Sequence, residues 1–182
     1  YGATVPAYGV SHAPLVEDDI LIVVVGGEPD AKVVGFNKAT GEEVWRALEM
    51  TSETGYSSPV VIDAGGVRQL IFWHATALVS LNPQTGETYW EQEFLNTGGL
   101  AIGTPVRSGR YLLISQFRTG SMMMTLNNDR PGAQMLWKGQ SRSELPHLTD
   151  GLHAMMSTPI IIDDYLYGVD SYGELRGLDA TT

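Results

Sequence analysis

Cysteine is absent from all 182 residues, which excludes disulfides, thiolate metal sites and thiol catalysis and leaves the redox compartment open. Long apolar runs are missing too. Stretches such as "ILIVVV" (Ile20 to Val25) are far too short to cross a bilayer, so direct membrane insertion is not expected. Positive charge is scarce, with 11 Lys and Arg against 21 Asp and Glu and a net charge of −10. Phosphate recognition needs clustered cations, so a nucleic-acid partner is excluded as well. No window carries a helical period, and no P-loop, dinucleotide-binding glycine pattern or Ser-His-Asp signature is present. With 43% hydrophobic and 18% charged residues, the composition is that of a soluble globular chain.

What is present is a phrase written more than once. "VGFNKATGEEVW" (Val34 to Trp45) returns as "VSLNPQTGETYW" (Val79 to Trp90), each with an Asn, a Thr-Gly pair and a Trp eight residues after the Asn. A second phrase precedes each copy: "SHAPLV", "SSPVVI", "GTPVRS" and "STPIII", around Pro14, Pro59, Pro105 and Pro159. Thirty-one residues separate Pro14 from Trp45 and 31 separate Pro59 from Trp90, while 32 separate Pro105 from Trp137. Two landmarks held in register over three copies define a tandem repeat. Its units are roughly 11–48, 57–93, 103–139 and 157–182, within a single domain 1–182. The fourth copy puts Asp179 where Asn37 and Asn82 stand, then the sequence ends. On the pattern, the chain is expected to be cut inside a repeat, and its opening "YGATVPAYGV" reads like the middle of something longer.

Each unit divides into four short runs rich in β-branched and aromatic residues, for example "PVVI", "QLIFW", "ALVSL" and "ETYWEQ", separated by turn signals. Four antiparallel strands per unit follow. Asn37 and Asn82 suit an Asx-turn into the last strand, and Gly41 and Gly86 supply the positive φ that such a turn wants. One four-stranded sheet cannot hide both of its faces, so Trp45, Trp90 and Trp137 are read as wedges filling the gap to a neighbouring sheet. Radial repetition of such sheets is a β-propeller. The predicted fold class is therefore all-β, a partial propeller of about three and a half four-stranded antiparallel blades. Blade flanks left without a neighbour are expected to be apolar, and self-association through them is the expected way of covering them.

The pattern "LN/D-x-x-TG-x-x-x-W" after "S/T-P-V-V" resembles the pyrroloquinoline-quinone-like (PQQ-like) propeller repeat. That repeat is shared by quinoprotein alcohol dehydrogenases and the outer-membrane assembly lipoproteins of the BamB type. The third unit departs from it: "LNNDRPGAQMLW" has its turn lengthened by two residues. The resemblance implies a protein-interaction or ligand-binding scaffold, noncatalytic and extracytoplasmic, in the periplasm or cell envelope. It implies a protein or peptide partner, met by a propeller face or by an exposed sheet edge. Its alternative is a fragment of a quinoprotein alcohol or sugar dehydrogenase, which would need the quinone, Ca²⁺, an indole floor and typically a pair of adjacent cysteines. There is no cysteine, and the acidic residues form no pattern of Ca²⁺ ligands, so neither cofactor is expected, and no catalytic residue or metal ligand is named. Trp73, outside the repeat register, is read as packing rather than as that floor.

If each unit runs from its innermost strand outward, the loops after strands two and four share one end of the stack. That end gathers Tyr56, His74, Arg118, Asp150 and His153, with His147, and His12 lies just before the first inner strand. Long loops on a rigid scaffold are where binding residues sit, so His12, Tyr56, His74, Arg118, Asp150 and His153 form the candidate binding face. The acidic runs "EDD" (Glu17 to Asp19) and "DD" (Asp163 and Asp164) are read as tight-turn residues at the opposite end.

Overall fold

A computed structural model describes residues 1–141 and 143–182. Its fifteen strands fall into four antiparallel sheets in strict chain order. The first contains β1 (Leu15–Glu17), β2 (Ile20–Val24), β3 (Val33–Asn37) and β4 (Glu43–Ala47). The second contains β5 (Val60–Ala64), β6 (Val67–Trp73), β7 (Ala77–Leu81) and β8 (Thr88–Glu93). The third contains β9 (Val106–Ser108), β10 (Tyr111–Gln116), β11 (Gly120–Leu126) and β12 (Ala133–Lys138). The fourth has three strands, β13 (Ile160–Ile162), β14 (Tyr165–Val169) and β15 (Leu175–Asp179). The chain is an all-β partial propeller, open rather than closed: no hydrogen bond among the described residues joins the first sheet to the fourth.

The core lies in the seams between sheets, and strand periodicity divides the side chains among them. In β6, Leu70 and Phe72 enter the seam shared with the first sheet, while Ile71 and Trp73 enter the seam shared with the third. In β11, Met122 and Met124 face the second sheet and Met123 faces the fourth. A strand covered on both faces carries apolar residues at consecutive positions, which is why "QLIFW" and "SMMM" read as unbroken runs.

The repeat motif works across the seams. Asn37 Oδ1 accepts from the amides of Ala39 (2.9 Å) and Thr40 (3.0 Å), Asn82 Oδ1 from that of Gln84 (2.8 Å), and Asp179 Oδ1 from that of Thr181 (2.7 Å). The Asn82 turn presents a carbonyl and a glycine to the preceding sheet, and the Asp179 turn a carbonyl. Trp45 Nε1 donates to Pro83 O at 3.1 Å and Trp137 Nε1 donates to Ala180 O at 2.9 Å, in both cases the residue after the turn's Asn or Asp. A β-carbon on Gly86 would lie 2.6 Å from Cε3 of Trp45, so the indole of one sheet rests on the glycine of the next. Gly41, with nearly the same φ (75° against 74°), has nothing within 4 Å of that position.

Trp90 departs from this scheme. The turn it would meet is the lengthened one of the third unit, and its Nε1 donates instead to Gln69 Oε1 within its own sheet, at 2.8 Å. Buried Gln69 also accepts from Ser80 Oγ (2.7 Å) and donates to Ala64 O (2.7 Å). Trp45 is buried, whereas Trp90 and Trp137 are half-buried. The end flanks also differ. Tyr1 lies against Phe36 on the outer flank of the first sheet, its ring 6.3 Å away and its hydroxyl bonded to Glu43. The flank of the fourth sheet leaves Ile160, Ile162, Tyr165, Tyr167 and Leu175 exposed.

The matched glycines separate backbone strain from indole contact. Gly41→Ala should cost only the left-handed backbone penalty of about 1–2 kcal/mol. Gly86→Ala should cost that plus about 1–3 kcal/mol of overpacking against Trp45. Trp45→Ala should cost roughly 3–5 kcal/mol, as for a large aromatic removed from a core. Urea denaturation of the three variants checks the order, and equal losses for the two glycines would refute the indole contact.

Candidate functional site

The loops after second and fourth strands meet at one end of the stack and are clipped together by polar groups. The Ala75 amide donates to Glu53 O (3.2 Å) and the Asn96 amide to Ala75 O (2.8 Å), while Asn96 Nδ2 donates to His74 O (3.1 Å). The Tyr56 amide donates to Ala101 O at 2.7 Å. Each crossing loop thus closes on the tip of a neighbouring hairpin, which satisfies backbone groups that a loop buried between sheets would otherwise orphan.

Two of the candidate histidines belong to this clip system. His74, 3% exposed, follows β6 with its ring 5.9 Å from Phe72, and its Nδ1 faces the Thr76 hydroxyl at 3.3 Å. Burial away from any counter-charge pushes its pKa down to about 4. His153, 1% exposed, has Nδ1 2.9 Å from Phe117 O and Nε2 3.1 Å from Thr149 Oγ1. A carbonyl only accepts, so Nδ1 carries a proton and donates. The His153 carbonyl in turn accepts from Ser171 Oγ.

The other four candidates are dispersed. His12, half-buried, lies 6.2 Å from Phe72, with both ring nitrogens enclosed and no hydrogen-bond partner. Desolvation pushes its pKa below the ordinary value, and the nearby Thr54 backbone opposes this only in part. Tyr56 packs on Tyr8 at 5.7 Å. Exposed Arg118 lies over the Phe117 ring at 5.7 Å, and Phe117 lies 6.5 Å from exposed Tyr172. Exposed Asp150 stands on the rim of a groove of about 880 Å³ beside Trp137, Lys138 and Leu178. The geometry therefore yields separate groups: His12 and His74 about Phe72, Tyr56 with Tyr8, Arg118 with His153 about Phe117, and Asp150 on the groove that His153 also lines.

Sequence reading missed Asp170 and Arg176. The Asp170 side chain is fully buried and accepts from the amides of Tyr172 (3.0 Å) and Glu174 (3.1 Å) and from Arg176 Nε (3.0 Å). Burial pushes its carboxyl up, but the two amides and the guanidinium outweigh this and hold it below the usual carboxylate range. Arg176 also donates to Thr149 O (2.8 Å) and Pro146 O (3.0 Å), fastening the long loop 139–159 to the fourth sheet. The available signal was "VDSYGELR", an Asp in Asx-turn position followed by an Arg on the next strand.

Among the described residues, no three His, Asp or Glu side chains are grouped so that they could share a metal ion. Trp73 is fully buried in the seam between the second and third sheets, its ring 6.1 Å from Phe94.

A family model described as outer membrane protein assembly factor BamB matches residues 4–182. The chain belongs to this family. The crystal structure of BamB from Moraxella catarrhalis superposes with a TM-score of 0.65 at 14% identity, covering 96% of this chain and 46% of that one. The computationally designed Ika8 protein superposes with a TM-score of 0.53 at 10% identity, covering 93% and 45%. Both likenesses are of fold, and the chain spans less than half the length of either structure. Among curated proteins none matches the sequence significantly. As a BamB-family propeller, the chain has no helix long and apolar enough to cross a membrane among its described residues.

His74 sets a pH dependence whose sign is determined. Its folded pKa of about 4 lies below the ordinary 6.5, so the unfolded chain binds the extra proton between these values. Its contribution is complete above pH 6.5, falls as pH drops towards 4 and levels off below, a loss of about 3 kcal/mol. Urea titrations at pH 7 and 4.5 should show a smaller loss in His74→Gln than in the parent, and identical losses would show that the group does not titrate this way.

Proposed function

We propose that this chain is a noncatalytic scaffold of the cell envelope, outside the cytoplasm, which uses its propeller surface to bind a protein or peptide partner and works without quinone or Ca²⁺. The observation that carries this reading is the use made of the polar residues at the loop end. The ring of His74 and the carboxylate of Asp170 are engaged within their own hairpins, and His153 and Arg176 hold a long loop to neighbouring hairpins. What the same end offers to solvent is Arg118, Tyr172, Asp150 and part of Phe117, an amphipathic surface of the kind that forms recognition sites. Membership of the BamB family supports the envelope and the protein partner, since the family's description names outer-membrane protein assembly. The same reading includes self-association through the apolar flank of the fourth sheet, which light scattering at rising concentration would report.

The test places a photo-crosslinking residue at 118 or 172, with position 87 on a turn at the opposite end as control. In envelope preparations from producing cells, the loop-end positions should give a discrete cross-linked protein and position 87 should not. Reduction of a redox dye on addition of quinone, Ca²⁺ and a simple alcohol would overturn the reading.

A further inference from the structure

The third unit's lengthened turn leaves a mark at the end of the stack opposite the loops. At the first seam, Trp45 reaches the turn of the next sheet and closes the junction. At the second seam Trp90 turns back to Gln69, and the backbone of Arg130 and Pro131 instead leans on Gly65 of the β5–β6 turn. Between that turn and the β9–β10 turn lies a cleft of about 570 Å³, lined by Gly65, Gly66, Arg68, Arg107, Arg110 and Asn127 among others.

Its charge is opposite to that of the chain. Arg68 is paired with two carboxylates, Glu17 (2.6 Å) and Asp63 (2.9 Å), the latter also lining the cleft, so this group carries one excess negative charge. Arg107 and Arg110 are exposed and make no ion pair among the described residues. Arg107 uses only Nε, on Gly109 O at 3.1 Å, and the Arg110 guanidinium lies over the Tyr111 ring at 5.3 Å, so both forks keep free donors. Exposed Arg130 and Asp129 at the turn's tip offset one another. Arg107 and Arg110, unpaired among the described residues, therefore outweigh that excess and leave the cleft positive on a chain of net charge −10.

We propose that this cleft binds an acidic, extended segment of a partner protein, its carboxylates taken by Arg107 and Arg110. Guanidinium forks match carboxylates in geometry, and paired donors add direction to attraction. The surrounding negative surface repels an acidic segment elsewhere, so charge complementarity steers it to this junction. The inference goes beyond the scaffold reading, because it places a contact at the end away from the loops. Its failure would leave the loop-end cross-links unchanged, so the two readings fail separately.

A fluorescein-labelled octaglutamate peptide, followed by anisotropy at low salt, is the probe. Saturable binding is expected, weakened about tenfold or more by Arg107→Glu with Arg110→Glu and by raising the salt. Arg107→Lys with Arg110→Lys should retain most of it, and Lys38→Glu with Arg46→Glu, of equal net charge change on the first sheet, should leave it intact. Arg107→Ala with Arg110→Ala serves if the reversed pair does not fold. Absence of saturable binding to the parent, or equal weakening by both reversed pairs, would overturn the proposal. So would sedimentation with phosphatidylglycerol vesicles without peptide binding, which would assign the cleft to a lipid surface.

Discussion

An indole laid on a glycine holds the first two sheets in register. Each sheet is too thin to bury both faces by itself, and its neighbour must supply the second cover. Trp45 does this by filling the seam, occupying the space over Gly86 where a β-carbon would stand, and donating to Pro83 O. That single side chain contributes apolar burial, a directional hydrogen bond and a steric demand on the residue it meets. The Asx-turn matters because it brings the carbonyl and the glycine to the place where the indole arrives. The Thr-Gly of one unit and the Trp of the preceding one are two halves of the same contact.

The second junction shows what happens when one half changes. The third unit lengthens its turn, Trp90 finds its acceptor in Gln69, and Gln69 needs Ser80 and Ala64 to complete its own bonding. A buried amide with every group paired is stable, while one left half-paired would cost more than an apolar residue in its place. A local departure from the repeat is thus absorbed by a polar network inside one sheet. At the surface it leaves an open, arginine-bordered junction rather than a filled one.

At the loop end the polar residues have a common task. Asn96 ties its crossing loop to the His74 carbonyl, His153 ties its loop to Phe117, and Arg176, held by Asp170 within the last hairpin, ties that hairpin to Thr149. Burial removes His74, His153 and Asp170 from solvent and lowers the basicity of His74. Exposed Arg118, Tyr172 and Asp150 are left to face a partner. The distinction between holding and facing is one of burial, which composition does not reveal.

Fold and strand count were legible in the sequence because they rest on local and periodic signals. Turn residues at fixed offsets, alternating apolar positions and a Trp in register say which segments are strands and that they recur. The sharing of one end by the loops followed from antiparallel connectivity. Asp170 and Arg176 were not legible, because an Asx-turn and a strand cation look ordinary until the loop 139–159 is seen to close on them. Nor could the sequence show that Trp90 turns inward while Trp45 and Trp137 reach outward, since the same residue in the same register chooses between acceptors brought within reach only by packing. The sequence by itself determined the repeat, the all-β class and the family. Tertiary structure alone decided which polar groups are enclosed and which remain open, because desolvation and hydrogen-bond completion depend on neighbours distant in the chain.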